Sequence, residues 1–134
     1  MVLSEVKHIV IHTADTPAGR KFTANDIDIW HKLRGFKMIG YHYVVLLDGT
    51  IEIGREIHEK GAHVKGFNNS IGVCYIGGGG GKDTRTNAQK LSLMYLVGYL
   101  KKLCPKAEVL GHRDFSNVSK TFPNFDAKKE YKNL

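Results

Sequence analysis

Two histidines, His12 and His112, each close an apolar, strand-like stretch of the sequence just where polar residues begin. The ends of strands in an α/β sheet often present functional side chains. Imidazole is a common zinc ligand, so the pair could hold a metal ion. No short His-x-x-x-His spacing joins them, so folding would have to assemble such a site across about a hundred residues. Two unrelated strand-end histidines remain the alternative interpretation.

Other side chains with metal-binding chemistry have simpler interpretations. His8 and His58 stand among polar neighbours and are predicted to be solvated, whereas His31 is predicted to pack partly buried in a helix. Cys74 lies within the apolar run IGVCYI and Cys104 lies near the end of a helical pattern. We therefore expect two buried thiols rather than a disulfide. The absence of a Cys-x-x-Cys pair excludes a structural zinc ribbon.

The elements that must position these residues alternate between strands and helices. N-capping patterns predict helices after Thr23 and after Thr86, and Asp48-Gly49 predicts a hairpin turn. In chain order we predict a strand at 6–12, a helix ending at Gly35, strands at 41–47 and 50–54, a strand at 70–77, a helix at 87–103 and a strand at 107–112. The order favours an α/β fold, with a central mixed β-sheet flanked by helices in a single domain spanning 1–134.

One helix face is also predicted. The apolar residues of the second helix recur at helical spacing, so we expect them to face the core. They are Leu91, Met94, Tyr95, Val97 and Leu100.

Composition narrows the classes of partner. The 134 residues carry 20 basic and 13 acidic side chains, for a net charge of +7. This charge suits nucleic acid, an anionic membrane or the acidic polymers of a bacterial envelope. The basic residues are scattered and no nucleic-acid motif is present, so we do not expect nucleic acid as the partner. No apolar run reaches the ~18–20 residues of a membrane helix.

Two local segments bear on other functions. The run GGGGG at 77–81 is predicted to be a flexible loop, and it lacks the Lys-Ser/Thr ending of a phosphate-binding loop. The N-terminal segment has Glu5 and Lys7 where a secretory signal would be apolar. We therefore expect no signal peptide and a protein that is cytoplasmic as made.

Four stretches together carry a family resemblance. They are IVIHTADTP, IDIWHKLRGFKMIGYHYVVLLDGTIEIGR, GAHVKGFNNSIGVCYIGG and VLGHRDFSNVSKTFPNFD. From residue 6 to 131 the chain resembles the type-2 N-acetylmuramoyl-L-alanine amidases, which include short phage amidases historically called lysozymes and the peptidoglycan recognition proteins. The resemblance implies zinc-dependent hydrolysis of the amide between N-acetylmuramic acid and L-alanine in peptidoglycan. We also expect a monomer that acts on the cell wall after release, or after export by another system.

The resemblance assigns roles to single positions. It implies zinc binding by His12 and His112, catalytic roles for Tyr41 and Lys120, and a substrate groove lined by His63 and Asn69. Without the resemblance, Tyr41 would be interpreted as a strand aromatic and Lys120 as a solvated loop charge.

One position departs from the family pattern. The family's third zinc ligand is the cysteine of Lys-x-Cys-Pro-x-Phe-Asp, and Phe122 stands in its place. Phenylalanine has no lone pair, and two neutral imidazoles bind zinc less well without a thiolate. Asp114 or Asp126 could complete the set, or Phe122 could be a single change in an active enzyme. The alternatives are a module that binds peptidoglycan without cleaving it, and a regulator that grips a protein partner.

Overall fold

A five-stranded mixed sheet forms the centre of the protein. The computed structural model describes residues 1–115 and 121–134. The strands are β1 (His8–Thr13), β2 (Tyr43–Val45), β3 (Ile51–Ile53), β4 (Ile71–Tyr75) and β5 (Glu108–Gly111). Their order is β3-β2-β4-β1-β5, with β2 and β3 antiparallel and every other neighbouring pair parallel. This confirms the predicted α/β fold with a mixed sheet.

Three α-helices accompany the sheet in the described residues: α1 (Ala24–Leu33), α2 (Asn87–Leu103) and α3 (Ala127–Glu130). Both predicted N-caps are confirmed, because the Thr23 side chain accepts from the Asp26 amide and the Thr86 side chain from the Gln89 amide. The short helix α3 was not predicted. None of the helices described is long and apolar enough to cross a membrane.

Alternate residues of β1 face opposite sides of the sheet, as in any strand. Ile9 and Ile11 belong to the main core cluster, which includes the buried face of α2. Val10 packs on the other side with Val64 and Phe115. His12 follows Val10 by two residues, so it emerges on this second side. Cys74 and Cys104 are buried free thiols, as predicted.

The predicted core face of α2 is partly wrong. Val97 and Leu100 are buried, but Leu91, Met94 and Tyr95 are 65%, 49% and 73% exposed. The side chains that α2 buries instead are Gln89, Leu93 and Leu96. Gln89 sets this rotation, because its buried amide Nε2 donates to the carbonyl oxygens of Val45 (3.2 Å) and Ile76 (2.9 Å).

Helix α3 is held by one buried cation. The guanidinium of Arg85 donates to Glu130 at 2.7 Å and to Asp83 at 2.9 Å, and its side chain is only 3% exposed. The Arg85 Cζ also lies 3.4 Å from the centre of the Phe125 ring. The N-terminus of α2 and the end of the chain are therefore tied together at this residue.

The glycine run holds the chain segment at 121–126 in place. Asn124 Nδ2 donates to the carbonyl oxygens of Gly78 and Lys82, each at 2.9 Å. The Tyr75 hydroxyl donates to the Pro123 carbonyl oxygen at 2.7 Å. Gly78 has a φ of 79°, a conformation that favours glycine. The glycine run at 77–81 therefore supports the segment that carries Phe122.

Candidate active site

His12 is a buried imidazole at the carboxyl end of β1. Its side chain is 2% exposed. Burial lowers the pKa of His12 well below its usual value, and the neighbouring imidazoles of His63 and His112 lower it further. His12 is therefore neutral at physiological pH, which is the form that binds metal ions.

His112 meets His12 because β1 and β5 are adjacent parallel strands. The strands pair in register from His8 opposite Glu108 to Ile11 opposite Gly111, and each histidine follows the last of these pairs. The two ring centroids lie 4.6 Å apart. Burial also lowers the pKa of His112. The sequence prediction that folding would assemble this pair is consistent with its geometry.

A third imidazole, His63, contacts His12 directly. His63 Nδ1 lies 2.9 Å from His12 Nε2, and His63 Nε2 lies 3.1 Å from the carbonyl oxygen of Ser70. Burial lowers the pKa of His63 to about 3. The Asn68 side chain accepts from the backbone amides of His63 and Val64, which fixes the turn that carries the ring.

The Tyr41 ring also packs against His12. Its ring centroid is 5.0 Å from that of His12 and 5.4 Å from that of His31. Burial raises the pKa of Tyr41, and the Cys74 thiol beside it contributes. The phenol is therefore protonated at neutral pH and can donate a hydrogen bond.

The sequence did not predict a site role for His31. Its Nδ1 accepts from the Gly40 amide at 2.9 Å, which orients the ring towards the cleft side of α1. Burial lowers its pKa to about 4, and Arg34 and Arg55 lower it further. A signal was present, since His31 follows the buried Ile27 by four residues and so shares its helix face.

These side chains line a cleft of about 510 Å³. Besides the three imidazoles, Tyr41 and His31, its lining residues are Arg34, Phe36, Ala62, Val64, Lys65 and Asn68. A second hollow of about 390 Å³ shares His12, His112 and Tyr41 with it and reaches Phe122. The histidines give the cleft a polar floor, and the cationic side chains of Arg34 and Lys65 lie at its rim.

Two predicted site residues are not placed in this cleft. Asn69 borders a separate hollow beside Met1 and Val2, and its neighbour Asn68 lines the cleft instead. The structure therefore places Asn68, and not Asn69, at this cleft. Lys120 lies outside the described residues.

Neither aspartate proposed as a third ligand faces the histidine pair. Asp114 Oδ2 accepts from the Gly111 amide at 2.8 Å, and Asp126 Oδ1 accepts from the Lys129 amide at 3.1 Å. Phe122 lines the hollow beside His12 and His112, where the family pattern has a thiolate. Within 1–115 and 121–134 no three His, Cys, Asp or Glu side chains stand in position to hold a metal ion. The neutral imidazoles of His12 and His112 suit zinc, but the described residues do not complete its ligand set.

Comparison with known proteins agrees with this geometry. The family model described as N-acetylmuramoyl-L-alanine amidase matches residues 3–124. The endolysin of Klebsiella phage KP32 is 36% identical over 130 residues, covering 93% of this chain and 85% of the endolysin. The endolysin of Escherichia phage T7 is 36% identical over 126 residues, covering 90% of this chain and 82% of the endolysin.

Solved structures share the fold. The N-acetylmuramoyl-L-alanine amidase LysC from Clostridium intestinale superposes with a TM-score of 0.80 at 29% identity, covering 98% of this chain and 86% of LysC. A Drosophila PGRP-LB variant in complex with tracheal cytotoxin superposes with a TM-score of 0.77 at 24% identity, covering 96% of this chain and 81% of that protein. With the family match spanning nearly the whole chain and its sheet, helices and histidine pair in place, this protein belongs to the type-2 N-acetylmuramoyl-L-alanine amidase family.

Proposed function

We propose that the protein hydrolyses the amide bond between N-acetylmuramic acid and the L-alanine of the stem peptide in bacterial peptidoglycan. The observation that carries the proposal is the pair of neutral imidazoles, His12 and His112, beside a protonated Tyr41 in one cleft. Phage endolysins 34–36% identical to this chain support the same activity.

His12 and His112 are the residues that would hold zinc. Zinc, when bound, supplies a Lewis acid that polarises an amide carbonyl and acidifies water. The lowered pKa of both histidines favours this binding, because protons then compete little for the imidazole lone pairs at neutral pH.

Tyr41 is the proposed hydrogen-bond donor to the oxygen on which negative charge develops. Its raised pKa keeps the phenol protonated throughout the neutral range, so the hydroxyl retains a proton to donate. Removing one such donor typically lowers kcat by ~10²–10³. Lys120 is proposed as a second stabilising charge, on the strength of the family pattern alone.

The substrate is proposed to be a muropeptide bound across the cleft. His63 and Asn68 line it, and Arg34 and Lys65 place cations at its rim, which suits the carboxylates of a stem peptide. The complex of the Drosophila relative with tracheal cytotoxin supports a ligand of this class.

A second candidate function is peptidoglycan binding without cleavage. Phe122 favours it, because an aromatic ring lines the second hollow, beside His12 and His112, at the position of the missing thiolate. Peptidoglycan recognition protein 3 of Homo sapiens, which is 31% identical over 121 residues, is a relative named for recognition.

The two functions are separated by product analysis. Muropeptides incubated with the protein and zinc should release stem peptides with L-alanine at the N-terminus. The product should disappear with a chelator and with His12→Ala. His58→Ala is the matched control, since His58 is an exposed histidine paired with Glu56. Stoichiometric binding without product would reject hydrolysis and leave the binding module.

A further inference from the structure

Four large apolar side chains lie exposed along one face of α2: Leu91, Met94, Tyr95 and Tyr99. They recur at intervals of three or four residues, so they form one stripe that is ~12 Å long. Apolar residues exposed singly are normal on a protein surface, whereas a contiguous exposed set marks an interaction site. We call these four residues the outer face of α2.

The outer face of α2 cannot turn into the core. The opposite side of the helix buries Leu93 and Leu100, and Gln89 fixes that side through its hydrogen bonds to two backbone carbonyl oxygens. A rotation that buried the outer face would expose these leucines and break both hydrogen bonds. The outer face is therefore a lasting part of the surface of the folded protein.

The outer face of α2 and the cleft lie on opposite sides of the sheet. The helix packs against Ile9 and Ile11 of β1, whereas His12 emerges on the side of Val10. A partner that covers the outer face therefore leaves the cleft open to substrate.

Positive charge accompanies the outer face. The sequence of α2 contains three lysines, Lys90, Lys101 and Lys102, and no aspartate or glutamate. Lys90 lies at the start of the helix, and the other two lie in its last turn. Each end of the apolar stripe is therefore flanked by cations.

The charge continues onto α3. A hollow of about 510 Å³ separates the end of α2 from β5 and α3, and four lysines line it. Two acidic residues, Glu108 and Asp126, line it as well, and Glu108 is paired with Lys128. Cations therefore outnumber carboxylates at this end of the protein. The lysines of this end, which we call the lysine cluster, are Lys101, Lys102, Lys128, Lys129 and Lys132.

A second copy of this chain fits the surface poorly. Two outer faces packed together would bring two lysine-bearing helices without acidic residues into contact, whichever way the helices ran. Like charges placed opposite each other oppose association, so charge complementarity calls for an anionic partner.

A bilayer with anionic lipids offers both chemistries that the surface needs. Tyrosine rings are favoured at the level of the lipid headgroups, and lysine side chains extend past apolar surface to reach phosphates. A helix with an apolar stripe flanked by lysines binds in the plane of the membrane interface. Nearby lysines add attraction to the negative surface.

We propose that the outer face of α2 and the lysine cluster form a docking surface for an anionic lipid bilayer. In this arrangement α2 lies parallel to the membrane plane, and the cleft faces away from the lipid. The proposal goes beyond the proposed hydrolysis and does not depend on it.

Co-sedimentation with lipid vesicles tests the proposal. The vesicles contain phosphatidylglycerol and phosphatidylcholine in equal parts, and vesicles of phosphatidylcholine alone are the neutral control. We expect the protein to pellet with the mixed vesicles at low salt and to stay in solution with the neutral ones. Failure to bind the mixed vesicles would overturn the proposal.

Substitutions on the outer face test the apolar contact. Leu91→Gln combined with Tyr95→Gln should weaken binding to the mixed vesicles by ~10–100-fold, because half-burying each side chain contributes roughly 5–10-fold. The matched control is Leu33→Gln, which removes an exposed leucine from α1 and should not change binding. Circular dichroism checks that both variants are folded. Equal binding by the two variants would show that the outer face does not contact lipid, against the proposal.

Substitutions in the lysine cluster test the charge. Lys102→Gln combined with Lys129→Gln should weaken binding by about fivefold per lysine. Lys32→Gln combined with Lys37→Gln removes the same charge from α1 and the loop after it, and should have a much smaller effect. Equal weakening by the two pairs would indicate attraction by net charge alone and would reject a defined docking surface.

NMR with spin-labelled lipid locates the surface directly. Signals of Tyr95 and Tyr99 should broaden strongly, and those of His63 in the cleft should not. Vesicle binding without broadening of the outer face would leave that face to a protein partner and refute the proposal. A lipid-free dimer that Leu91→Gln with Tyr95→Gln dissociates would assign the face to self-association, with the same consequence. Muropeptide hydrolysis, measured separately, should be the same in the outer-face variant as in the unmodified protein.

Discussion

Individual residues at the site share one electrostatic property, which is that their imidazoles are neutral. His12, His63 and His112 are all buried enough that their pKa values are lowered. His31 at the rim behaves in the same way, with a pKa of about 4. A charged imidazole would repel a metal cation, so burial prepares these nitrogens as ligands and donors.

Buried histidines should make folding stability fall in mild acid. His42 is fully buried, its Nδ1 accepts from the Gly72 amide at 3.0 Å, and burial lowers its pKa below about 6.5. Below that pH the unfolded chain binds protons that the native ring does not, so stability is lost as the pH falls. Each such residue contributes at most ~1.4 kcal/mol per pH unit. Urea unfolding of metal-free protein between pH 7.5 and pH 5 measures this loss.

Between pH 7.5 and pH 5 the loss of folding stability reports on the histidines and not on the carboxylates. Glu130 and Asp83 have lowered pKa values, so their contribution is lost only in stronger acid. The variant His42→Gln should flatten the slope between pH 7.5 and 5 relative to the unmodified protein. Equal slopes would show that His42 does not titrate on unfolding in this window.

Phe122 is the residue on which metal binding depends most. Phe122→Cys places a thiolate where the family pattern has one, beside His12 and His112. We expect zinc affinity to rise by orders of magnitude, because a complete structural zinc site contributes ~10–16 kcal/mol. Amidase activity at limiting zinc should rise with it. Isothermal titration and the muropeptide assay measure the two effects.

The control for this substitution is Phe122→Ala, which removes the ring but adds no ligand. It should leave zinc affinity nearly unchanged. Tight zinc binding by the unmodified protein, with no gain from Phe122→Cys, would mean that another group already supplies the third ligand.

At the scale of elements, sequence patterns predicted the features that depend on neighbouring residues. They did not predict the features that depend on tertiary contacts. The helix starts at Thr23 and Thr86 were predicted because a capping side chain acts within three residues of itself. The buried face of α2 was not predicted, because Gln89 donates to the backbone of Val45 in β2 and of Ile76 just after β4. The sequence also did not predict that Asn68 would line the cleft, where its side chain accepts from the His63 amide.

Helix α3 should depend on Arg85. Arg85→Met removes the buried cation and leaves Asp83 and Glu130 without it. Breaking a buried ion pair typically costs ~3–5 kcal/mol, and we expect the lower end because Glu130 is 44% exposed and can be hydrated. Chemical denaturation gives the loss, and amide exchange should show α3 opening first.

Lys128→Met is the matched control on the same helix. Its ion pair with Glu108 joins two exposed side chains, 62% and 57% accessible, so its loss should cost under ~1 kcal/mol. Similar losses for Arg85→Met and Lys128→Met would contradict the role of the buried cation.

At the scale of the whole molecule, the sequence predicted the sheet, two helices and the pairing of His12 with His112. Strand and helix patterns recur along the chain, and motif order identifies the family. Two contacts could not be predicted: the one between His63 and His12, and the one between Asn124 and the glycine run. Each is a side-chain hydrogen bond that joins segments about fifty residues apart.

The net charge of +7 should make cell-wall binding sensitive to salt. We expect the protein to co-sediment with purified sacculi at low ionic strength and to bind less as salt rises from ~0.05 to ~0.5 M, since the Debye length shortens severalfold over that range. Quantifying the protein in the pellet measures this. Failure to bind at low salt would count against both hydrolysis and recognition.

The position of β5 at the edge of the sheet has a consequence for biosynthesis. Among the described residues β5 pairs with β1 alone, and it delivers His112 to a cleft whose other lining residues lie between His12 and Asn68 in the sequence. A ribosome must therefore synthesise most of the chain before the two imidazoles can meet. A protease that cut between Cys104 and Glu108 would likewise separate the segment that carries His112 from the segment that carries His12 and the four other strands. The pairing of His112 with His12 therefore depends on β5, which is synthesised after the four other strands.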